Sequence, residues 1–436
     1  MGKGSVKRAG LFALNYELRI AFRYLFAKRS EGGLSAVAWY SLIGVTLSVA
    51  TLIVIQAVMI GFRVEFVSKI LGANSHLSVY SDSFIKEKRQ GLNKELQEII
   101  SEKLKQVDSV INTMPIIMET VMASSTSGNA GVQVFGIQEE DLLKLPLLIN
   151  PENTQGDIKK FSDGIAIGSS LARQLGVKVE SNIRLVSPSG AKTVFGVTPR
   201  AMDFKVSYIF TVGRYDIDST RIYMPMSEAK IFFNRNNSVD RIDVLVDQPN
   251  TIESISDEIN LNLMEVKGNK FVVWDWKQAS NSFLSALDIE RKAMFVIWSL
   301  VVLIAALNII SGLVMMVKNK TQDIAILRTI GFSRFSIMRI FFIAGSLIGV
   351  IGTILGVILG CLFSSYLHEI QNLVEFIFGG TVWDPQVRYL TKIPVKLRTS
   401  DILSATSIAL VISLLITILP SYRAASLNPI EGLRHG

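Results

Sequence analysis

Four long stretches of this 436-residue chain contain no Asp, Glu, Lys, Arg or His. They run from Gly32 to Phe62, from Ala293 to Val317, from Ile340 to Leu367 and from Ile402 to Tyr422. Each reaches the ~20 residues that a helix needs to cross a hydrocarbon core about 30 Å thick. One such stretch could be a buried helix of a large soluble protein, but four of them predict four transmembrane helices.

The composition agrees with a membrane protein. Hydrophobic residues make up 49% of the chain, charged residues only 19%, and the mean hydropathy is +0.38. Soluble domains carry about 25% charged residues. The single cysteine, Cys361, excludes an internal disulfide, and its place deep in the third apolar stretch indicates a packed thiol.

The basic residues are concentrated in two segments that flank the apolar stretches. Residues 1–31 carry seven Lys and Arg against two Glu, and residues 318–339 carry five against one Asp. Lys and Arg accumulate in cytoplasmic segments of membrane proteins. We therefore expect a multi-pass protein of the bacterial inner membrane with both termini in the cytoplasm. The net charge of +8 then reflects topology, and no nucleic-acid partner is expected.

The predicted fold class is an α-helical membrane protein with four transmembrane helices and a large α+β periplasmic domain between the first and second. Strand-like and helical runs alternate in this domain, which we expect to form two subdomains. The predicted segments are a cytoplasmic N-terminal amphipathic helix (1–34), the transmembrane helices (35–62, 293–317, 340–367 and 402–422), the periplasmic domain (63–292), a cytoplasmic loop containing a helix (318–339), a short periplasmic loop (368–401) and a cytoplasmic tail (423–436).

A hairpin is predicted between Ser187 and Lys205, where proline and glycine residues interrupt two strand-like runs. Its tip would carry Phe195, Val197, Pro199 and Arg200. An apolar tip of this kind usually folds back on its own domain. Alternatively, it is an exposed element that docks a partner.

Several classes of functional site are missing from the sequence. The chain has no GxxxxGK[ST] phosphate loop, so no ATP site of the usual kind is expected. His368 and Glu369 begin an HExxH-like pattern, but Asn372 replaces the second histidine, and the chain has only three histidines. The apolar stretches lack the charged relays of ion-driven carriers. We therefore predict no catalytic residue, no metal and no cofactor bound by this chain.

The third apolar stretch contains glycines at four-residue spacing. Such glycines allow the backbones of membrane helices to approach closely, although glycine is also simply common in these helices. The predicted helix-packing positions are Gly345, Gly349, Gly352, Gly356 and Gly360.

The loop at 318–339 contains a short amphipathic helix between Thr321 and Gly331. Thr321 is a candidate N-cap, Gly331 a candidate stop, and Ile324, Leu327 and Ile330 form one apolar face. This helix could lie on the lipid interface or fit a groove of a cytoplasmic partner.

This helix and the segment Pro420–Arg434 together resemble signatures of the FtsX-like permease (MacB-type ABC) superfamily. The residues around the first apolar stretch, at 16–25, 36–44, 50–59 and 61–63, look like those of the LolC/LolE lipoprotein-releasing subunits. The similarity covers essentially the whole chain. It implies a non-catalytic membrane subunit that works with a cytoplasmic ABC ATPase dimer, which binds ATP and Mg.

The resemblance also implies roles for individual residues. It implies a lipid cavity around Val49, Ile53 and Met59, and makes the hairpin residues Phe195, Val197, Pro199 and Arg200 the binding site for a periplasmic lipoprotein carrier. Further implied partners are a lipoprotein substrate and a second membrane subunit, either a copy or a paralogue. The residues assigned to coupling with the ATPase are Asp323, Ile324, Ala325, Ile326, Leu327, Arg328, Ile330 and Gly331.

Two alternatives come from the same superfamily. One is a MacB-like mechanotransmission efflux permease, although such pumps usually carry their ATPase on the same chain. The other is an FtsX-like, non-transporting regulator of cell-wall hydrolases, which the large domain and the hairpin disfavour.

Overall fold

The computed structural model describes residues 16–24, 34–87, 91–149, 151–193, 196–235, 237–266, 270–379, 390 and 393–427. These residues form two compact units. The membrane unit comprises Met1–Phe62, Leu287–Gly380 and Pro394–Gly436, and the inserted domain comprises Arg63–Ala286 with Thr381–Ile393.

The described residues include four helices that are long and apolar enough to cross a membrane. They are α2 (Leu34–Ala73), α12 (Asn281–Asn319), α14 (Arg334–Ser365) and α16 (Thr399–Ser426). Helices α12 and α16 contain a whole apolar stretch, α2 and α14 contain most of one, and each helix extends beyond its stretch at one end or both. The added turns contain charged residues such as Arg63, Glu65 and Glu290, which mark where the apolar surface ends.

The core of the membrane unit is built around α14. Buried side chains of α2, α12, α14 and α16 meet there, among them Val45, Leu313, Phe341 and Ala405. The outward surfaces of the same helices are also apolar, with Leu303 52%, Ile358 50% and Leu415 61% exposed. Lipid tails are as apolar as leucine, so these outward side chains need no protein cover.

Three shorter helices accompany the bundle. Helix α1 covers residues 16–24. Helix α13 (Thr321–Thr329) follows α12, and α15 (Leu367–Phe378) follows α14. The rest of the predicted N-terminal segment 1–34 and the tail beyond residue 427 lie outside the described residues.

The inserted domain is an α+β domain. Its strands are β1 (Leu77–Ser81), β2 (Val110–Ser124), β3 (Asn129–Ile137), β4 (Asn153–Gly156), β5 (Ile165–Gly168), β6 (Asn182–Thr193), β7 (Gly196–Thr211), β8 (Arg221–Pro225), β9 (Arg241–Val246) and β10 (Phe271–Asp275). Its helices are α3 (Asp82–Glu87), α4 (Lys94–Lys105), α5 (Glu139–Leu142), α6 (Pro146–Ile149), α7 (Ser169–Leu175), α8 (Tyr215–Thr220), α9 (Met226–Phe232), α10 (Ile252–Met264) and α11 (Trp276–Ala279), with 3₁₀ turns at Ile158–Asp163 and Pro249–Thr251.

The strands form one sheet in the order β10-β1-β9-β2-β3-β8-β5-β7-β4, with β6 paired to β2 and β7. The long strand β2 joins the two parts of the sheet. Its first half, to Ile116, pairs with β9, and its second half, from Ile117, pairs with β3. One strand therefore belongs to both parts of the sheet, and the expected division into two subdomains stays a prediction.

Candidate functional site

Helix α13 presents a different face from the one that its sequence predicts. Ile324 and Ala325 are each 2% exposed. Ile324 packs into the core of the membrane unit, and Leu327 is partly buried against it. The outward residues include Ile326, 44% exposed, and Ile330, 72% exposed. The apolar side of α13 is used inside the chain, so Ile324 and Leu327 do not form a free docking face.

The first turn of α13 is not capped by the predicted residue, whereas its end is at the predicted glycine. The hydroxyl of Thr321 donates to the Lys318 carbonyl at 2.8 Å, so it points back along the chain and does not cap α13. Lys320 forms an ion pair with Asp323 at 2.9 Å. Gly331 has φ +108°, a backbone conformation that favours glycine, and ends the helix as predicted.

Helix α1 packs beside α13 at the base of α14. The ring of Tyr24 lies 5.9 Å from that of Phe341, and the Lys320 ammonium lies 5.4 Å from the Tyr24 ring centre. Glu17 is 2% exposed, with Arg339 at 3.9 Å. The sequence indicated an amphipathic helix here, but not this contact with the loop that follows α12.

The five glycines of α14 lie at contacts between helices. A methyl group added at Gly345 would come within 2.6 Å of Leu313 on α12, and one added at Gly349 within 2.7 Å of the Ser413 Cβ on α16. The remaining three glycines face α2, where they contact Val45, Val49 and Ile53 in register: the pairs are Gly352 with Val45, Gly356 with Val49, and Gly360 with Ile53.

This packing shows that Val49 and Ile53 are not free to line the predicted lipid cavity. Val49 and Ile53 are only 3% and 2% exposed, because the glycines of α14 cover them. Val49 does line a small apolar cleft between α2, α12 and α16, but its volume is about 30 Å³. That is the space of a single water molecule. Met59 is partly exposed. The open face of α2 instead carries Tyr40, Ile43 and Leu47.

The predicted hairpin is formed by β6 and β7, with Thr193 paired to Gly196. Phe195 lies outside the described residues. Pro199 and Arg200 stand within β7 rather than at the turn, and Pro199 occupies a register shift between the Ser187–Arg200 and Ala191–Thr198 pairs. Proline lacks the N–H needed for regular pairing and is tolerated at such irregularities.

Arg200 is held by its own domain. Its guanidinium donates hydrogen bonds to the carbonyls of Ile231 and, at 3.2 Å, Phe232, at the end of α9. A cation at a helix C-terminus is electrostatically favourable. The geometry therefore gives Arg200 a role in anchoring the hairpin.

The inserted domain contains a polar cavity of about 370 Å³ that sequence reasoning missed. Three arginines line it. Arg214 pairs with Asp216 and Arg241 with Asp243, each at 2.7 Å. Burial lowers the pKa of Arg241, but Asp243 and the Tyr80 hydroxyl raise it overall.

The third arginine of this cavity, Arg221, caps a helix. Its guanidinium donates to the carbonyl of Ala73 at 3.0 Å and to the side-chain oxygen of Asn74 at 2.8 Å, at the end of α2. The buried carboxylate of Asp275, which also lines the cavity, caps α11 through the Gln278 N–H. Asp275 in the lining, and Asp216 and Asp243 paired with two of the arginines, together match the three positive charges of the cavity.

The described residues contain no group of three or more His, Cys, Asp or Glu side chains placed to hold a metal ion.

Two protein families match adjacent parts of the chain. The MacB-like periplasmic core domain matches residues 39–261, and the FtsX-like permease C-terminal region matches residues 295–429. The first match extends from α2 to α10, and the second covers most of α12 and all of α13 to α15, ending after α16.

Named relatives match almost the whole chain. The lipoprotein-releasing system transmembrane protein LolC of Xylella fastidiosa (strain 9a5c) is 30% identical over 418 residues, 95% of this chain and 98% of its own length. LolC of Neisseria meningitidis serogroup B is 28% identical over 423 residues, 96% and 99% of the two chains. LolE of Haemophilus influenzae is 27% identical over 427 residues, again 96% and 99%. The chain therefore belongs to the LolC/LolE family of lipoprotein-releasing system transmembrane proteins.

Proposed function

We propose that this chain is the membrane subunit of an ATP-driven complex that extracts lipoproteins from the inner membrane and hands them to a periplasmic carrier. The observation that carries the proposal is its similarity to LolC and LolE proteins over 95–96% of its length. The full sequence has no phosphate loop, so ATP and Mg are bound by a separate ABC ATPase dimer.

The exposed face of α13 is the contact for that ATPase. Two apolar side chains, Ile326 and Ile330, project from it one turn apart, and Gln322 and Thr329 lie beside them. A short helix with apolar anchors at this spacing suits a groove in a protein partner. Its buried face, with Ile324 and Ala325, joins it to the core of the membrane unit. Movement of the ATPase is thereby passed to α14.

ATP is needed because lipid anchors hold strongly to the bilayer. Each CH₂ group of an acyl chain contributes about 0.8 kcal/mol of membrane binding, and two or more anchors make release extremely slow. This chain supplies surfaces for the lipid and for its partners, while the chemical step of ATP hydrolysis takes place on the ATPase.

The acyl chains are received on the open face of α2. The cleft beside Val49 is about 30 Å³, far too small for an acyl chain. Tyr40, Ile43 and Leu47 are 75%, 49% and 58% exposed and form one stripe along α2. A second membrane subunit, either a copy or a paralogue, would close this stripe into a cavity lined by apolar side chains.

The hairpin of β6 and β7 is the element that binds the carrier. Arg200 fixes its β7 strand to α9, and Pro199 restricts the backbone next to it. A pre-ordered element loses less entropy on binding than a flexible one. We infer that Phe195 and Val197 provide the contact and that Arg200 anchors the hairpin.

The charge distribution supports an orientation with both termini and α13 in the cytoplasm and the inserted domain in the periplasm. Binding of a cytoplasmic ATPase to α13 requires this orientation. A test of ATPase binding to α13 therefore also tests this orientation.

The test is a release assay with the full chain. Proteoliposomes containing this chain, the ATPase that co-purifies with it and a triacylated lipoprotein are incubated with ATP and a soluble periplasmic carrier. We expect the lipoprotein to appear in the soluble fraction bound to the carrier, and to remain in the membrane with a non-hydrolysable ATP analogue.

ATP-dependent efflux of small molecules without any need for the carrier would contradict the proposal and favour a MacB-like permease. ATPase binding without any transport would favour an FtsX-like regulator. The control is the same preparation without carrier, which should retain the lipoprotein in the membrane.

A further inference from the structure

Helix α15 has two chemically distinct sides. It begins at Leu367, one residue after Tyr366, which caps the end of α14, and ends before Gly379 in the left-handed conformation, with φ +65°. Leu373 and Ile377 lie one turn apart on one side, with Glu369 one turn before them at the start of the helix, and His368 and Asn372 lie on the other side. The helix contains two glutamates and no lysine or arginine.

The apolar side of α15 is not covered by the described part of the chain. None of the residues of α15 is buried. Leu373 is 58%, Phe376 86%, Ile377 64% and Phe378 79% exposed. By contrast, the shorter helix α13 buries Ile324 and Ala325. An isolated helix of about 12 residues is only marginally stable in water, so α15 needs an apolar surface beside it.

The helix that directly precedes α15, α14, has an apolar lipid-facing side. The last turns of α14 expose Leu359, Leu362 and Phe363 by 45–50%, and Tyr366 at the junction by 58%. The charge-free stretch of α14 continues through Leu367, so α15 starts where the hydrocarbon core gives way to the interface. A tyrosine at this depth is typical of the membrane–water boundary.

We propose that α15 lies in the interface of the bilayer, on the opposite membrane face from α13, with Leu373 and Ile377 among the lipid chains. Phe376 and Phe378 flank this immersed line, and His368 and Asn372 face water. Most interfacial helices add basic residues that attract anionic lipid. Because α15 has none, its binding is hydrophobic and does not depend on anionic lipid or on salt. The inference rests on the transmembrane fold and is independent of the transported substrate.

The test places a fluorescent label on each side of the helix. The native cysteine is first removed with Cys361→Ser, and bimane is then attached to Ile377→Cys or to the matched control Asn372→Cys in the full chain. Each protein is reconstituted in phosphatidylcholine nanodiscs with or without brominated acyl chains. We expect brominated lipid to quench the Ile377 label at least about twofold more than the Asn372 label. Quenching should be equal at low and high salt, and with phosphatidylglycerol added.

Three outcomes would overturn the proposal. Quenching of the Ile377 label by aqueous iodide, but not by brominated lipid, would place this side in water. Protection from both quenchers would mean that protein covers it, either a partner subunit or residues 380–392 of this chain. Quenching that appears only with phosphatidylglycerol, or disappears in high salt, would refute hydrophobic binding. Leu373→Cys provides a second label on the same side should Ile377→Cys reduce the yield of folded protein.

Discussion

Gly356 shows how a single missing side chain sets the distance between two membrane helices. A methyl group added there would lie 2.6 Å from the Val49 Cβ and 2.8 Å from the Thr46 carbonyl oxygen. Both contacts are shorter than van der Waals distance, and one is to backbone, which cannot rotate away. Glycine at this position therefore lets the backbone of α14 pack directly against side chains of α2. Membrane helices depend on such close packing because lipid gives them little hydrophobic drive to associate.

Substituting Gly356 should destabilise the bundle. We expect Gly356→Ala to lower stability by about 1–3 kcal/mol, the usual cost of overpacking a close contact, and Gly356→Leu to lower it more. Thermal unfolding of the full chain in detergent measures the effect. Ser365→Leu, at an exposed position near the end of the same helix, is the matched control and should leave the melting temperature unchanged. Equal melting temperatures for Gly356→Leu and the wild type would contradict the packing role.

Asp218 is a buried carboxylate in the inserted domain. It is 1% exposed and accepts hydrogen bonds from the backbone N–H groups of Val212 at 2.8 Å and Gly213 at 3.1 Å. Burial raises the pKa of Asp218 to about 6, against the lowering effect of these two hydrogen bonds, and the nearby Glu152 raises it further while Lys69 lowers it. Folded protein therefore holds this proton more tightly than unfolded protein does.

Because the pKa of Asp218 is raised, the stability of the inserted domain depends on pH. The stabilising contribution of protonated Asp218 is complete below its unfolded pKa of about 4 and is lost as the pH rises through about 6. A pKa raised by this much corresponds to at most about 3 kcal/mol of unfolding free energy. We expect the melting temperature of the wild type to fall more steeply between about pH 4 and about pH 6.5 than that of Asp218→Asn. Parallel pH profiles for the two proteins would show that Asp218 does not titrate in this range.

Helix α13 shows what helical periodicity does and does not specify. The spacing of Ile324, Leu327 and Ile330 predicted an amphipathic helix ending at Gly331, and the helix is there. Periodicity alone could not say which apolar residues pack inside the chain. That choice depends on the next helix, α14, which contributes Phe341, and on α1, which contributes Tyr24 from near the start of the chain.

The structure therefore makes Ile330 the residue with which to test the ATPase contact. Ile330→Glu puts a charge on an exposed apolar side chain and should abolish co-purification of the ATPase, because an unpaired charge is costly in an apolar groove. The protein itself should stay folded. Asn319→Glu adds the same charge at an exposed position just before α13 and should leave binding intact. If Ile330→Glu still binds the ATPase normally, the exposed face of α13 is not the contact.

The hairpin shows a similar limit of local sequence patterns. Turn residues in the sequence located it, but they placed Pro199 and Arg200 at the tip, whereas both belong to β7. The pairing continues beyond a register shift as far as Thr193 and Gly196, and such a shift interrupts the regular alternation by which strands are recognised. The contact of Arg200 with α9 likewise depends on tertiary packing that no local pattern encodes.

For the whole molecule, the features that depend on a long uniform pattern were predictable. A charge-free stretch of 20 or more residues seldom occurs outside a membrane helix, so the four helices and the inserted domain followed from the sequence. Strands without such a pattern are harder to predict from the sequence. Strand β2 contains Pro115 and several polar residues, and β5 has only four residues, Ile165–Gly168, all buried. A short fully buried strand does not alternate, so it resembles any other apolar run.

The position of β1 in the sheet governs when the inserted domain can complete its fold. Leu77 of β1 pairs with Val244 of β9 on one side and with Asp275 of β10 on the other. Both partners are made long after β1, and β10 is followed almost immediately by α12. During synthesis, β1 must wait unpaired until β9 and β10 have been made. The sheet can close at this edge only when the second transmembrane helix is about to enter the bilayer, so insertion of that helix and closure of the domain become successive steps of one process.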